Sequence, residues 1–404
     1  MTTTTSSSSI RWSVVLLVST AATLLLLVTP TIATNPSDST SPTVSNNKSN
    51  NTTHHDGNNN DIYRQLQVPS PTPWRFGGLN RWSWKIHGKL LPWLHFADPI
   101  AVPDVYVNLR VLWCKALSSF HNRSPAFDAD HLAYRMLPRS TRWPLRYFGW
   151  AFPRWMHANI ELRTAYLNQI IEQECKRIQQ NHNNNNKTKP YKICMIILGA
   201  GYDPRAAKLI LESKVDRVYE LDLPAVAQSK RALLERAFGG TTTTTATKDE
   251  LTIKTTLQDQ LYWKAVDLND ERAVDQTIDD IATDLYSDGE TTPTNPWYTI
   301  LVSEALLLYL NPGVAGRILQ RISARFGNNK NKKMIDRSAG ASFVFVDRLE
   351  LQIDRTDDPI VKDPPGQESI QSQARKWLLD CGWILQDFKQ KPGATRHLGL
   401  AFAV

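Results

Sequence analysis

Two glycines and one acidic side chain are the residues of this sequence whose types and spacing indicate chemistry. The apolar run Ile196–Leu198 leads directly into Gly199-Ala200-Gly201, and Asp222 ends the next apolar run, about 20 residues later. Glycines let the backbone approach a ligand closely, and the start of the helix that follows such a turn offers unpaired N–H groups. A carboxylate at this spacing accepts hydrogen bonds from ribose hydroxyls. The pattern therefore predicts a site for a nucleotide-like cofactor.

The third position of the glycine pattern narrows the choice of cofactor. A dinucleotide fingerprint, Gly-x-Gly-x-x-Gly, needs a third glycine where this chain has Pro204. A pyrophosphate cradle is therefore disfavoured, and S-adenosylmethionine, which has a ribose and an amino-acid tail but no phosphate, suits the turn. Two alternatives stay open, a nicotinamide- or nucleotide-sugar-binding Rossmann enzyme and a non-catalytic binding module. The missing glycine and the absence of a Tyr-x-x-x-Lys pair count against the first alternative, and the intact glycines and acids count against the second.

Three motifs in order resemble those of the leucine carboxyl methyltransferase family: Leu198–Arg205, Tyr219–Pro224 and Val302–Leu310. The resemblance extends over roughly residues 104–404. Pro204 departs from the usual threonine of the first motif. Membership would imply a class I, Rossmann-like fold and transfer of a methyl group from S-adenosylmethionine to a carboxylate, on a protein C-terminal leucine or on a small molecule. Because a carboxylate needs no base, we expect binding groups and assign no catalytic residue.

The resemblance also assigns residues to the cofactor. The glycine turn would lie at the methionine part, Asp222 at the ribose, Asp267 and Leu268 at the adenine, Glu304 at the methionine end, and Arg163 at the carboxylate. The cofactor-binding residues predicted in this way are Arg163, Gly199, Ala200, Gly201, Asp222, Asp267, Leu268 and Glu304. For Arg163 the alternative is a solvated helix face. Tyr309 is assigned to the acceptor pocket, with core packing as its alternative.

Apolar runs alternate with helical patterns along the second half of the chain, which predicts a mainly parallel sheet with helical crossovers. The last two runs are separated only by a short turn around Lys391-Pro392-Gly393, which predicts an antiparallel hairpin at the C-terminus. An N-terminal helical cap precedes the sheet. The predicted strands are Ile193–Leu198, Val215–Leu221, Trp263–Asp267, Trp297–Glu304, Ser342–Asp347, Trp383–Lys389 and His397–Val404.

Composition divides the chain into four predicted segments. Stretches of Ser, Thr, Asn and Pro cannot bury enough apolar surface to offset their ordering entropy, which applies to residues 34–61 and to the insertions at 181–189 and 239–249. The predicted segments are a signal peptide or signal anchor at 1–33, a disordered linker at 34–73, an N-terminal extension with the helical cap at 74–190, and the S-adenosylmethionine-binding methyltransferase domain at 191–404.

An apolar run near the N-terminus predicts targeting. Residues 12–28 carry no charged group, Arg11 precedes them, and a small-residue site ending at Ala33 follows. This order is typical of a secretory signal peptide or a signal anchor. It predicts a location in the secretory pathway or association with a membrane, and a cytoplasmic location if the segment is not used.

The net charge of +8 is concentrated in a segment where basic and aromatic residues alternate, as in Arg81–Lys85 and Arg142–Tyr147. Such interleaving suits a membrane surface or nucleic acid, but we favour a helical cap that packs its aromatics on the sheet and keeps its arginines solvated. Nucleic acid is the least favoured partner, and we expect a monomer. The four cysteines follow no metal or disulfide pattern and are expected to be small buried side chains.

Overall fold

A computed structural model describes the chain at residues 106–121, 131–148, 157–184, 191–238, 255–286, 296–327, 338–353, 369–390 and 396–404. The segments predicted at 1–33 and 34–73, including the apolar run 12–28, lie outside these residues, as does Arg81–Lys85. Within the described ranges, none of the helices combines the length and apolarity needed to cross a bilayer.

In the part of the chain that the structure describes, seven strands form one sheet in the order β3-β2-β1-β4-β5-β7-β6. The first five strands are parallel, and β7 lies antiparallel between β5 and β6. The predicted mainly parallel sheet with a C-terminal antiparallel hairpin is thereby confirmed, and the order is that of the class I methyltransferase fold. The strands are β1 Lys192–Leu198, β2 Arg217–Asp222, β3 Leu261–Ala265, β4 Trp297–Glu304, β5 Ser338–Asp347, β6 Trp383–Gln390 and β7 His397–Ala403.

Helices precede the sheet and connect its strands. Those before β1 correspond to the predicted helical cap and are α1 Tyr106–His121, α2 His131–Met136, α3 Arg139–Phe148 and α4 Ala158–Asn184. The helices that follow are α5 Arg205–Leu211, α6 Pro224–Ala237, α7 Glu271–Tyr286, α8 Val314–Phe326, α9 Glu350–Ile353 and α10 Ile370–Asp380. A 3-10 turn, Leu307–Tyr309, follows β4.

The central strand β1 shows how the sheet is covered. Its side chains point alternately to opposite faces, as in any strand. One face joins an apolar cluster with α1 and α4, through Ile193, Met195 and Ile197. The other face joins a cluster with α7 and α8, through Cys194, Ile196 and Leu198. Because both faces are buried, the strand is a continuous apolar run, as expected for parallel sheets.

Several predicted boundaries were wrong. β3 ends at Ala265, so Asp267 lies two residues beyond the strand instead of at its end. β2 begins at Arg217, because Ser213 N and Lys214 N bond back to Ile210 O and Leu209 O and close the turn after α5. The polar stretch predicted as an insertion from residue 181 instead continues α4 as far as Asn184.

Two aromatic residues of α3 also depart from the prediction, whereas Arg146 is exposed, as predicted. Trp143 and Tyr147 lie one helical turn apart and are about half exposed, at 45% and 52%. Leu145, on the other side of the helix, is completely buried. Since α3 is amphipathic with Leu145 inward, Trp143 and Tyr147 lie on its outer face and not against the sheet.

All four cysteines have free thiols and are buried, as predicted: Cys114, Cys175, Cys194 and Cys381.

Candidate cofactor and acceptor site

The glycine turn directly follows β1, at the edge of the sheet where the parallel strands end. Gly199 and Gly201 have φ values of +60° and +49°, in the left-handed region that favours glycine. A Cβ on Gly199 would lie 2.7 Å from Leu306 Cδ1, and one on Gly201 would lie 2.8 Å from Asn108 Oδ1. Glycine is therefore required by backbone conformation and by close packing of neighbouring side chains. The approach of a ligand, expected from the sequence, is thus not the only reason for glycine at these two positions.

Asp222, the last residue of β2, lies against this turn. Its Oδ2 accepts a hydrogen bond from Gly201 N at 2.6 Å, and its Oδ1 accepts one from Leu223 N at 2.8 Å. Burial raises the pKa of Asp222, and the two backbone N–H donors only partly oppose the rise. Each carboxylate oxygen can accept a further hydrogen bond. The carboxylate thus lies where the sequence predicted it, with acceptor capacity for ribose hydroxyls.

Glu304, the last residue of β4, is surrounded by three cations. Its carboxylate oxygens lie 2.7 Å from Arg163 Nε, 3.1 Å from Lys115 Nζ and 3.0 Å from Arg205 Nη2. All four side chains are at most 9% exposed. Burial alone would raise the pKa of Glu304, but the charges of Lys115, Arg163 and Arg205 hold this pKa well below its ordinary value. Arg163 is therefore not on a solvated helix face.

A second carboxylate, that of Asp203, joins the same group. Its Oδ2 lies 3.0 Å from Lys115 Nζ and 3.1 Å from Arg205 Nη1, and its Oδ1 accepts a hydrogen bond from Arg205 N. Burial opposes ionisation, but Arg205 and Lys115 lower the pKa of Asp203. We call these five residues the charge cluster: Lys115, Arg163, Asp203, Arg205 and Glu304. With three cations and two ionised carboxylates, it carries a net charge of +1.

The charge cluster fits the amino-acid end of S-adenosylmethionine. A buried net charge is costly unless an opposite charge compensates it. The Nη groups of Arg163 make no hydrogen bond to any residue that the structure describes, and the side chain keeps 8% of its surface exposed. A carboxylate that meets these groups would bring the net charge of the cluster to zero. The donor set, two guanidiniums and one ammonium, is the type that proteins use for carboxylates.

Asp267 and Leu268 follow β3 on the same side of the sheet. Asp267 is exposed, and its Oδ1 accepts a hydrogen bond from Asn269 N at 2.9 Å. Leu268 is 5% exposed and belongs to the apolar cluster beneath α7 and α8. The predicted packing of Leu268 against an adenine ring stays a prediction.

Tyr309 follows Glu304 by five residues, at the end of the 3-10 turn. Its side chain is 63% exposed. Core packing, the alternative considered for Tyr309, is therefore wrong. Leu307 and Leu310, by contrast, are buried and anchor the turn to the core.

Sequence reasoning missed Lys115. This residue lies in the apolar stretch Val111–Leu117 of α1, where a lysine is usually read as a side chain that reaches solvent. The structure buries Lys115 to 2% exposure and pairs it with both carboxylates of the charge cluster. A charged residue flanked on both sides by core positions of a helix was the available signal.

The strand order, the glycine turn after β1, the acid after β2 and the charge cluster beside β4 together define the class of this protein. It is an S-adenosylmethionine-dependent methyltransferase with a class I fold.

The family model of leucine carboxyl methyltransferase matches residues 109–323, more than half of the chain. The chain belongs to the leucine carboxyl methyltransferase family. This sets aside the nicotinamide- or nucleotide-sugar-dependent enzyme and the non-catalytic module. No curated protein sequence matches the chain.

Solved structures with detectable likeness include three proteins of low identity. Magnesium protoporphyrin IX methyltransferase (ChlM) from Synechocystis PCC 6803 with bound SAH is 9% identical, with a TM-score of 0.28, over 60% of this chain and 86% of that one. The antibiotic-resistance methyltransferase Kmr is 9% identical, with a TM-score of 0.30, over 53% and 88%. LepI in complex with SAM is 14% identical, with a TM-score of 0.29, over 85% and 83%. Likeness at these scores supports no argument about function.

Proposed function

We propose that this enzyme methylates a carboxylate of an acceptor that lies over Tyr309, which gives a methyl ester. S-adenosylmethionine, when bound, supplies an electrophilic methyl group on its sulfonium. The observation that carries the proposal is the state of the two acids in the charge cluster. Both Asp203 and Glu304 are paired with cations that hold their pKa values low. Neither is a base that would take a proton at neutral pH.

An acceptor that is nucleophilic without a base fits these two paired acids. Of the histidines whose side chains the structure describes, His157 and His397 are both completely buried. A carboxylate is ionised at neutral pH and needs no proton removed, whereas a hydroxyl needs a base. The name of the family points to the same acceptor class. The substrate is a protein C-terminal leucine or a small carboxylic acid.

The chain's residues then bind and orient. In this proposal Arg163 and Lys115 receive the cofactor's carboxylate, Glu304 holds both cations in place, and Asp222 accepts hydrogen bonds from the ribose. The turn Gly199-Ala200-Gly201 lies along the methionine part, and Asp267 with Leu268 borders the adenine. Tyr309 contacts the acceptor, since it is the exposed aromatic side chain nearest to Glu304 along the chain. Positioning of two reactants accounts for much of the rate in such a displacement.

The test distinguishes a methyl ester, which base hydrolyses, from methylated products that base leaves intact. The enzyme is incubated with S-adenosylmethionine labelled in the methyl group and a short peptide that ends in a free leucine carboxylate. The same peptide with a C-terminal amide is the matched control. A small-molecule extract serves as the second acceptor source. We expect label that base releases as volatile methanol, from the free carboxylate only. Base-stable label in any of these acceptors would show an ether, amine or carbon acceptor and contradict the proposal.

We also propose that residues 12–28 direct the chain to a membrane-bounded compartment, where the acceptor would then lie. The run carries no charge and has Arg11 before it. A fusion of residues 1–40 to a fluorescent reporter should enter that compartment, and the same fusion with Leu25→Arg and Leu26→Arg should stay diffuse because charges in the apolar region oppose insertion. Diffuse fluorescence of the unchanged fusion would contradict the targeting. The four segment boundaries and the monomeric state stay predictions.

A further inference from the structure

The turn that carries Tyr309 begins with a strained backbone conformation. Ala305, directly after Glu304, has a φ of +57°, which costs free energy for any residue except glycine. The chain then enters the 3-10 turn, closed by Tyr309 N donating to Leu306 O at 2.8 Å. We call residues 305–310 the Tyr309 turn. Its strained start requires other groups to hold it.

Asp347, the last residue of β5, holds the beginning of the Tyr309 turn. This side chain is completely buried. Its Oδ2 accepts hydrogen bonds from Leu306 N at 2.9 Å and Leu307 N at 3.0 Å, and also from Ser303 Oγ at 2.9 Å. Its Oδ1 accepts one from Arg348 N at 2.9 Å. Both oxygens are surrounded by donors, so the site accepts a carboxylate better than an amide.

Gln352, in α9, holds the end of the same turn. Its side chain is 8% exposed, and Nε2 donates to Leu307 O at 2.8 Å and to Leu310 O at 3.2 Å. Both hydrogens of the amide are therefore used on backbone carbonyls of the Tyr309 turn. Asp347 and Gln352 lie five residues apart, at the end of β5 and in α9. Asp347 binds N–H groups at the beginning of the Tyr309 turn, and Gln352 binds carbonyl groups in its second half.

We infer that Asp347 and Gln352 are positioning residues, which fix the backbone of the Tyr309 turn and so the point from which the exposed Tyr309 side chain projects, five residues after Glu304. The contribution to the reaction rests on the proposed acceptor role of Tyr309, but the immobilisation itself does not. Leu306 extends the effect, because its Cδ1 packs on Gly199 and so connects the Tyr309 turn to the glycine turn. An exposed side chain on a fixed backbone suits a binding group, since a displacement of about 1 Å at a reacting centre costs up to about 100-fold in rate.

A spin label at position 309 tests the immobilisation without any acceptor. The four native cysteines are buried, and burial raises the pKa of Cys175 to about 12 and that of Cys381 to about 11. A nitroxide reagent should therefore label Tyr309→Cys selectively. The spectrum is recorded in the full chain and again with Asp347→Asn or Gln352→Glu. Gln352→Met, which lacks both donors and the charge, replaces Gln352→Glu if that variant does not fold.

The control is Ser303→Ala. It removes one hydrogen bond from the same Oδ2 of Asp347 but none from the Tyr309 turn. We expect a label of the same mobility in the parent and in Ser303→Ala, and a more mobile label in the Asp347 and Gln352 variants, because backbone motion is then added to that of the side chain. The affinity for S-adenosylhomocysteine should stay within about twofold in all of them, because none of these residues belongs to the charge cluster. An unchanged spectrum in the Asp347 and Gln352 variants, or an equal gain of mobility in Ser303→Ala, would overturn the inference.

A second readout separates positioning from general stability. With the acceptor that the ester assay identifies, kcat/KM for the acceptor should fall about 10–100-fold in Gln352→Met while KM for the cofactor stays constant. A variant that loses cofactor affinity and also melts at a lower temperature, along with the fall in kcat/KM for the acceptor, would show a merely structural role and would overturn the inference. Failure of the ester assay leaves the spin-label result intact, so the two proposals fail separately.

Discussion

Glu304 and Asp347 are buried carboxylates at the ends of neighbouring strands, yet their surroundings are opposite. Glu304 faces three cations, while Asp347 accepts hydrogen bonds from backbone N–H groups and a hydroxyl. Despite burial, the cations lower the pKa of Glu304. Burial raises that of Asp347, and its neutral donors only partly oppose the rise. The carboxyl edge of the sheet therefore contains two kinds of site. The cations around Glu304 suit an anionic ligand, while the uncharged donors around Asp347 belong to the backbone that this carboxylate holds in place.

Removal of the charge from Glu304 should have the largest effect. Glu304→Gln leaves three buried cations with Asp203 alone, and loss of one partner from a buried ion network costs about 3–5 kcal/mol. Urea unfolding measures this loss. Glu271→Gln is the matched control, because the Glu271–Arg317 pair is more than half exposed. It should change the free energy of unfolding by less than about 1 kcal/mol.

Asp347→Asn should lower the free energy of unfolding less than Glu304→Gln does, since it disturbs hydrogen bonds from uncharged donors and leaves no cation unpaired. The expected loss is about 1–3 kcal/mol in the same urea experiment. A larger loss than in Glu304→Gln would erase the proposed difference between the two carboxylates.

Substitution of a glycine in the glycine turn should weaken cofactor binding more than substitution of another glycine with a positive φ. Gly201→Ala adds a Cβ 2.8 Å from Asn108 Oδ1 at a φ of +49°, whereas Gly313→Ala at +83° meets nothing within 4 Å. Backbone strain of about 1–2 kcal/mol is common to both. Only Gly201→Ala should also weaken binding of S-adenosylhomocysteine, as calorimetric titration can measure. Equal behaviour of the two variants would mean that close packing at Gly201 is unimportant.

The smallest effect expected is that of pH on cofactor affinity. The folded-state pKa values of Asp203 and Glu304 lie below their ordinary values of 3.8 and 4.5, so their contribution to stability is fully present above those values. It is lost only as pH falls through the lower folded values. The dissociation constant of S-adenosylhomocysteine should therefore stay constant between about pH 6 and pH 8. A titration in that range that persists in Asp222→Asn would show that one acid of the charge cluster is not ionised, since burial raises the pKa of Asp222 as well.

Much of the sheet was predictable because parallel strands buried on both faces are apolar runs of recognisable length. The glycine turn, Asp222 and Glu304 followed from these runs, since each lies where a strand ends. The cations that surround Glu304 could not be predicted from the sequence. Lys115 is distant in sequence from Asp203 and Glu304, and only the packing of α1 on the sheet brings them together.

The roles of Asp347 and Gln352 were also beyond the sequence. Asp347 was predicted only as the end of a strand, because hydrogen bonds from a side chain to a distant backbone leave no periodic pattern. The boundary of β3 failed for a related reason. Val266, Asp267 and Leu268 continue the alternation of the strand, but Val266 N is the last of them to bond to β2, through Asp222 O.

The central claim is that the net positive charge cluster receives the carboxylate of the cofactor. Calorimetric titration of the parent and of Arg163→Ala with S-adenosylhomocysteine and with 5′-methylthioadenosine, which lacks the amino-acid tail, tests it directly. The account predicts that Arg163→Ala loses about 1.5–3 kcal/mol of binding free energy for S-adenosylhomocysteine, as expected for a hydrogen bond between charged groups, and nothing for methylthioadenosine. An equal loss for both ligands, or no loss for either, would contradict it.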